Sequence, residues 1–328
     1  MEKLVSIIIP CRNEEEFISR CLYSVLNNDY PKDKLEIFVA DGESQDKTRE
    51  IVSRYIIKYP FIKLLNNPRH IAASALNLGI KESMGSIIIR MDAHAIYDKN
   101  YISKCVCYLQ NYDADNVGGV IYIIPRENTP VGRGIAKAMS SFLGTGGAHY
   151  KLGAKSFKEV DTVPFGCFKR SIFDKVGFFN ENLKRSQDLE FNLRIKRAGG
   201  KIYLFPDIVS DYYSRSGLKD FFIYNFKNGI WAIYPFKFVK TLFKPRHYAP
   251  LVFVLGLTFL FMAGLFVRPF LYMFWTVIIL YLAIILYAAA KVSLKEKDAT
   301  YLFSLPVALA VRHFSYGLGS IFGIIKLL

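Results

Sequence analysis

Apolar and polar positions change rhythm along this chain, and the changes outline its organisation. Through about residue 217, short apolar runs alternate with stretches whose apolar positions return every three or four residues. Residues 4–9 form a run closed by Pro10, after which Phe17, Ile18, Cys21, Leu22, Val25 and Leu26 recur at helical spacing. A second strand is predicted over 35–40, ending at Asp41-Gly42, with Ser44 as the N-cap of a helix carrying Ile51, Val52, Tyr55 and Ile56. Residues 61–65 read as a third strand, 71–83 as a helix, and 86–90 as a fourth strand that delivers Asp92. Strands and helices alternating at this pitch predict βαβ units, a mostly parallel sheet and an α/β class.

The rhythm breaks beyond residue 217. Residues 218–243 mix Phe221, Phe222, Tyr224, Phe226, Trp231, Tyr234, Phe236, Phe238 and Phe243 with lysines, as expected of a segment in a headgroup layer. Apolar runs over 249–267 and 270–290 are each long enough to cross a bilayer, with Arg268-Pro269 as the turn between them. The run over 301–328 is interrupted by Pro306, Arg312 and His313, and predicts either one span with Arg312 against the other helices or two shorter interfacial segments. Arg312 or His313 either contacts the phosphate of an acceptor lipid or snorkels to the surface. Three parts follow: a soluble domain over 1–217, an interfacial segment over 218–247, and a membrane domain of two to three spans over 248–328.

Composition sharpens this picture. Of 328 residues 52% are hydrophobic, and the formal net charge is +15. Much of that charge gathers before the first long apolar run, at Lys219, Lys227, Lys237, Lys240, Lys244, Arg246 and His247, so membrane lipids rather than nucleic acid are the expected partners. The five cysteines, Cys11, Cys21, Cys105, Cys107 and Cys167, show no zinc-ligand spacing. Cys105 and Cys107 point to different faces of an apparent helix, and structural thiols in a reducing compartment are expected. The first apolar run is too short for a secretory signal, and Lys291, Lys295 and Lys297 would share a side with Lys244 and Arg246. Both points predict a multi-pass protein of the cell membrane with a cytoplasmic head.

In a parallel sheet a ligand sits at the carboxyl ends of the strands. The residues gathered there are Pro10-Cys11-Arg12-Asn13-Glu14, Asp41-Gly42, Asn66-Asn67-Pro68-Arg69 and Asp92-Ala93-His94. GxGxxG after the first strand and GxxxxGK[ST] are both missing, which disfavours a dinucleotide dehydrogenase and a P-loop phosphotransferase. Three acidic motifs stand out instead, around Asp41, Asp92 and Asp188, matching the needs of a nucleotide-sugar transferase: base recognition, a metal on the diphosphate, and a general base. Arg69 either meets a diphosphate in bidentate fashion or forms a surface ion pair.

These stretches resemble glycosyltransferase family 2, the inverting GT-A group, and within it the membrane-attached glucosyltransferases of the succinoglycan-biosynthesis type. The resemblance is carried, in order, by residues 7–14, by Val39-Ala40-Asp41-Gly42-Glu43-Ser44, by Ala75-Leu76-Asn77-Leu78-Gly79, by Arg90-Met91-Asp92-Ala93-His94, by Phe165-Gly166-Cys167-Phe168 and by Gln187-Asp188-Leu189-Glu190. It implies a GT-A domain in which Pro10, Arg12, Glu14, Asp41, Arg69, Asp92 and Ala93 bind the nucleotide-sugar, with Asp41 facing uracil and favouring a UDP-sugar. Asp92 and His94 stand where the family has Asp-x-Asp and would hold Mn²⁺ or Mg²⁺; the alternative is that His94 only hydrogen-bonds nearby backbone. Asp188 would be the catalytic base, or else a capping aspartate. Gln187, in place of the family's usual glutamate, and Trp231 would face the acceptor.

Asn225 and Asn228 depart from the Gln-x-x-Arg-Trp motif of processive relatives, and transfer of one sugar is expected. A glycine-rich stretch over 144–153 reads as a lid over the donor or as an ordinary loop. The function this implies is inverting transfer of a single sugar, a hexose such as glucose, from a UDP-sugar to a lipid-linked saccharide in surface or exported polysaccharide synthesis. Transfer to polyprenyl phosphate itself is one alternative; a non-catalytic nucleotide-sugar-binding scaffold is the other.

Overall fold

The computed structural model describes residues 2–239 and 244–327, so Lys240 and Phe243 of the predicted interfacial segment lie outside the described residues. By contacts the chain divides into two compact units, Met1–Tyr122 with Gly153–Tyr212, and Ile123–Leu152 with Tyr213–Leu328. Residues 123–152 therefore group with the C-terminal unit.

In the first unit β1 (Val5–Cys11), α1 (Ile18–Leu26), β2 (Leu35–Asp41), α2 (Thr48–Lys58), β3 (Ile62–Asn66), α3 (Ala72–Glu82) and β4 (Ile87–Arg90) follow the predicted alternation. The strands pair in parallel in the order β3-β2-β1-β4. Ile7, Ile8, Ile9, Ile37, Phe38 and Val39 are fully buried, as expected where helices cover both faces of a parallel sheet.

Beyond β4 come β5 (Ala95–Tyr97), α4 (Tyr101–Asn111) and β6 (Asn116–Ile124). The chain later returns through β7 (Lys158–Glu159), β8 (Cys167–Lys169), α8 (Ser171–Val176), α9 (Gln187–Arg197) and β9 (Ile202–Tyr213). The parallel pairing stops at β4: β8 joins it antiparallel, and the sheet continues β8-β6-β9-β5 with β7 also on β9.

One predicted cap is corrected. Ser44 lies outside α2, its hydroxyl bonded to Asp41, and the Asp46 carboxylate accepts from Thr48 N at 3.0 Å at the helix start. Three residues, Gln45, Asp46 and Lys47, separate Ser44 from the helix, and the aspartate stands closer to its first free amides.

The second unit contains α5 (Pro130–Met139), α6 (Phe142–Thr145) and α7 (His149–Leu152), then α10 (Leu218–Ile233), α11 (Phe236–Val239), α12 (Ala249–Gly264), α13 (Arg268–Glu296) and α14 (Tyr301–Ile325). The glycine-rich stretch is thus not an irregular lid. It forms the one-turn helices α6 and α7, separated by Gly146 and Gly147 at φ of 59° and 84°.

α13 and α14 are long and apolar enough to cross a membrane, whereas α12 has 16 residues and is shorter than the span expected over 249–267. The expected turn at Arg268-Pro269 is displaced, because proline suits the first turn of a helix and both residues open α13. Pro306 does not divide the last run: α14 is continuous through it. Along α14 the neighbouring helix α10 approaches at backbone distance, since a Cβ on Gly229 would fall 2.0 Å from Tyr316 O and one on Gly319 2.0 Å from Phe226 O.

Candidate active site

The loops leaving β1, β2 and β3 each contain a residue in the left-handed backbone region, Asn13, Glu43 and His70 at φ of 54°, 55° and 57°. Such conformations cost about 1–3 kcal/mol and persist where surroundings enforce them. Here cross-loop bonds do so. Asn13 N donates to Ser44 Oγ (2.8 Å), Gln45 N to Asn13 Oδ1 (2.9 Å), Glu14 N to Thr48 Oγ1 (2.8 Å) and Lys47 N to Glu15 Oε2 (2.9 Å). The segment carrying Pro10, Arg12 and Glu14 is therefore laced to the loop after Asp41. Arg12 is exposed and its stem covers Gly42, where a Cβ would stand 3.3 Å from Arg12 Cδ.

Asp41 is fully buried at the end of β2. Its carboxylate accepts from Ser44 N (3.1 Å), Ser44 Oγ (2.5 Å) and Arg49 Nη1 (2.7 Å), and Arg49 also donates to Asn66 Oδ1 (3.2 Å). Arg49 was missed in the sequence, being one charge among several on α2. Arg69 pairs with Glu181, a surface ion pair with the arginine side chain 61% exposed. Glu181 in turn accepts from Asn77 Nδ2 at 2.8 Å, and the Asn77 amide also binds the backbone of Phe179 at 2.9 and 3.0 Å. The motif around Asn77 thus braces the segment that leads to α9.

Arg90 closes β4 and organises the site's acids. Its Nη2 donates to Asp92 Oδ1 at 2.7 Å, and its Nη1 lies 3.5 Å from Asp188 Oδ2. Burial opposes the charge on this guanidinium, but the two carboxylates outweigh burial and raise its pKa above that of an ordinary arginine. Arg90 Nε is buried without a hydrogen-bond partner. Sequence reading placed Arg90 in a motif without giving it a role; the available signal was a basic residue ending an isoleucine strand, which must find charge partners if buried.

Tyr97 fixes the backbone of Asp92, its hydroxyl oxygen accepting from Asp92 N at 2.7 Å. Burial, then the neighbouring Cys21 and Asp92, push the Tyr97 phenol well above its usual pKa, so it stays protonated. Ala93 is buried behind this turn.

His94 is held on both sides. Nδ1 is 3.0 Å from Glu14 Oε1 and Nε2 is 3.1 Å from the Tyr212 hydroxyl, with the two rings edge to face at 4.9 Å. These partners are side chains from β9 and from the loop after β1, not the nearby backbone. Tyr212 carries no local sequence signal, since only the sheet order brings β9 to this place.

No group of three or more His, Cys, Asp or Glu side chains suited to a metal occurs among the described residues. An all-protein metal cage does not fit. A cation that draws most ligands from a diphosphate does, because Arg90 engages only one carboxylate oxygen of Asp92 and leaves the other as a hard donor. His94 could join it only by exchanging a present hydrogen bond for the metal.

Asp188 stands in the first turn of α9, 36% exposed, its Oδ1 accepting from Leu189 N at 3.0 Å. The preceding Ser186, at φ 61°, sets the angle at which the helix begins. Gln187 is buried, and Glu190 turns inward to a two-bond pair with Arg194 at 2.7 and 2.9 Å. Trp231 belongs to α10 of the second unit, edge to face with Tyr234 at 5.5 Å, while Asn225 is fully buried there.

Comparison with known proteins agrees with this architecture. Residues 6–177 match the model of the family described as Glycosyl transferase family 2. The dolichyl N-acetyl-alpha-D-glucosaminyl phosphate 3-beta-D-2,3-diacetamido-2,3-dideoxy-beta-D-glucuronosyltransferase of Methanococcus voltae is 30% identical over 98% of this chain and 97% of its own. Succinoglycan biosynthesis protein ExoA of Rhizobium meliloti is 29% identical over 66% of this chain and 65% of its own. The mannosyltransferase PcManGT of Pyrobaculum calidifontis, solved with GDP-Man and Mn²⁺, aligns over 95% of this chain and 87% of its own with a TM-score of 0.61 at 20% identity, a likeness of fold. The chain belongs to glycosyl transferase family 2 and is a glycosyltransferase with a GT-A-like domain and apolar C-terminal helices.

Proposed function

We propose that the protein transfers one hexose, with inversion, from a UDP-sugar to a lipid-linked saccharide at the cytoplasmic face of a membrane. The observation that carries this reading is the arginine between two carboxylates: Arg90 reaches both Asp92 and Asp188. An inverting displacement needs the leaving diphosphate and the incoming hydroxyl on opposite sides of one carbon. Two acids spanned by one guanidinium are spaced for that task.

Asp188 accepts the proton of the acceptor hydroxyl as its oxygen bonds to the anomeric carbon and the bond to the diphosphate oxygen breaks. Pro10, Arg12, Glu14 and the buried Asp41 hold the nucleoside, Asp41 offering an acceptor suited to uracil. Asp92, with His94 in reserve, would hold Mn²⁺ or Mg²⁺, which neutralises the charge on the leaving group. Arg90 and Tyr97 keep Asp92 in place. Gln187 and Trp231 are assigned to the acceptor.

A lipid-linked acceptor is supported by the Methanococcus voltae relative, whose name specifies a dolichyl-phosphate-linked sugar, and by α13 and α14, which suit a multi-pass anchor. That name also favours a saccharide acceptor over bare polyprenyl phosphate.

The test is nucleotide release from a panel of UDP- and GDP-sugars by the full-length protein in detergent, with Mn²⁺ and a lipid extract, beside Asp188→Asn. Metal-dependent release from one UDP-sugar, reduced about 10²–10⁴-fold in the variant, is expected. Release from GDP-mannose alone would overturn the UDP assignment, and release undiminished in Asp188→Asn would remove the base.

A further inference from the structure

The second unit holds a part-buried cation, Arg312, that forms no ion pair among the described residues. Arg312, in the middle of α14, donates through Nε to the carbonyl of Gly144 and through Nη1 to Asn225 Oδ1 at 3.0 Å. Asn225 is fully buried, and its own Nδ2 donates to Phe221 O at 2.7 Å, which fixes its oxygen toward the guanidinium. The ionisable groups that interact with Arg312 include the phenols of Tyr224, Tyr316 and Tyr150 and the adjacent imidazole of His313. No carboxylate is among them, and α5, α6, α7 and α12, which belong to the same unit, contain no acidic residue. Asp220 opens α10, and Glu296 at the end of α13 is held by Lys137 at 2.5 Å.

A guanidinium among apolar helices is expensive unless an anion meets it. Arginine has five N–H donors, and here two are committed to neutral acceptors. The environment has the makings of an anion site: a fork that pairs bidentately with phosphate, phenolic hydroxyls that can donate, and a second arginine nearby. That second arginine is Arg246, whose Cβ would stand 3.2 Å from a Cβ on Gly146, two residues beyond the carbonyl that holds Arg312. Arg246 lies in the short turn Pro245–His247, three residues before α12, in the stretch of Lys244, Arg246 and His247 where the chain enters its apolar run. A basic stretch at the start of an apolar run is suited to anionic headgroups. His313, next along α14, is tied to the Leu143 carbonyl at 2.9 Å and to the Tyr281 hydroxyl of α13 at 3.0 Å, so the helix cannot rotate its arginine away.

We propose that Arg312, with Tyr150, Tyr224, Tyr316 and Arg246 around it, binds a lipid-borne phosphate, that of the acceptor lipid. The identity of that lipid rests on the acceptor reading given above; the phosphate chemistry does not.

The experiment uses the full-length protein in nanodiscs of neutral phospholipid and measures binding of farnesyl phosphate, with farnesol as the uncharged control and phosphatidylglycerol as the competing bulk anion. Wild type is expected to bind farnesyl phosphate and not farnesol. Arg312→Gln should weaken binding at least tenfold, Arg312→Lys should recover part of it because charge returns without the fork, and Tyr316→Phe should weaken it two- to fourfold. Farnesyl phosphate outcompeting phosphatidylglycerol assigns the site to the acceptor; equal competition overturns that assignment and leaves a general anchor for anionic lipid. Wild-type affinity in folded Arg312→Gln, or farnesol binding as well as its phosphate, overturns the site itself. If Arg312→Gln does not fold, wild-type affinity in both Arg312→Lys and Tyr316→Phe overturns it equally. Binding is read without transfer, so phosphate binding with no nucleotide release from any donor would sink the transferase reading and leave this site standing.

Discussion

Arg90 and Asp188, far apart in sequence, approach to 3.5 Å across the head of the sheet, while the same guanidinium holds Asp92 at 2.7 Å. The contact ties the end of β4 to the first turn of α9. A single cation therefore sets the separation of the two acids on which metal binding and proton abstraction are proposed to depend.

Replacing Arg90 should damage both chemistry and fold. Arg90→Met leaves two carboxylates facing each other without a cation; the pair is only partly buried, with Asp188 36% exposed, so the cost falls below the ~3–5 kcal/mol of a fully buried pair. A lower melting temperature and a kcat reduced about 10²-fold or more are expected. Arg90→Lys retains charge but cannot reach both acids, so it should restore stability better than kcat. Thermal melts beside steady-state nucleotide release check this, and a lysine variant with full kcat would show that the bridging geometry is dispensable.

Arg49 should matter for the donor through Asp41. Arg49→Ala removes one of three donors to a fully buried carboxylate, a loss of about 1.5–3 kcal/mol for a charged hydrogen bond, and Ser44 remains as a partial substitute. The expected outcome is a donor KM raised roughly tenfold with kcat little changed. Titration calorimetry with UDP compares the two proteins directly; equal affinity would mean that Asp41 is held by Ser44 alone.

His94 offers a test of metal involvement. If it enters the coordination sphere, His94→Ala should weaken activation by Mn²⁺ about 10–100-fold, and Tyr212→Phe, which frees Nε2, should not. Mn²⁺ titrations of nucleotide release decide the matter. An unchanged Mn²⁺ midpoint in His94→Ala would restrict this residue to bracing Glu14 against Tyr212.

The thiols should divide sharply. Cys107 is exposed on α4, whereas Cys11, Cys21, Cys105 and Cys167 are buried. Burial, followed by nearby carboxylates, raises the Cys11 and Cys21 thiols well above their usual range, and unionised thiols react slowly. Native protein treated with iodoacetamide at pH 8 should be labelled at Cys107 alone, and at all five cysteines after unfolding. Mass spectrometry of the digest reads the result, and rapid native labelling of Cys11 would contradict the packing of β1.

Close helix packing in the second unit gives a prediction on stability. A Cβ on Gly229 would sit 2.0 Å from Tyr316 O and 2.8 Å from Ser320 N, both backbone atoms of α14. Gly229→Ala must push the helices apart, at about 1–3 kcal/mol for an overpacked contact. A lowered melting temperature in detergent is expected, whereas Gly256→Ala, whose added Cβ meets nothing within 4 Å, should melt like wild type.

Much of the first unit was legible in the chain because its signals are local. The isoleucine runs of β1 and β4, the helical spacing of α1 and the turn residues after each strand lie within single windows, and they set the order of elements. They also place Asp41, Asp92 and Asp188 at strand or helix ends, where ligands meet an α/β sheet. The same local reading failed where two local rules competed, as at Ser44 against Asp46, and where proline was taken for a turn at Pro269 although it opens a helix.

Tertiary structure alone decided which distant side chains meet. Nothing near Arg90 announces Asp188, nothing near His94 announces Tyr212, and Asn225 gives no hint of Arg312. Each pair depends on how antiparallel strands or packed helices close over many residues. The side chains themselves contribute little to that closure, which is driven by burial of apolar surface elsewhere. Periodicity and turn chemistry determine elements and their order; the partners of the charged groups are settled only when the sheet and the helices have closed.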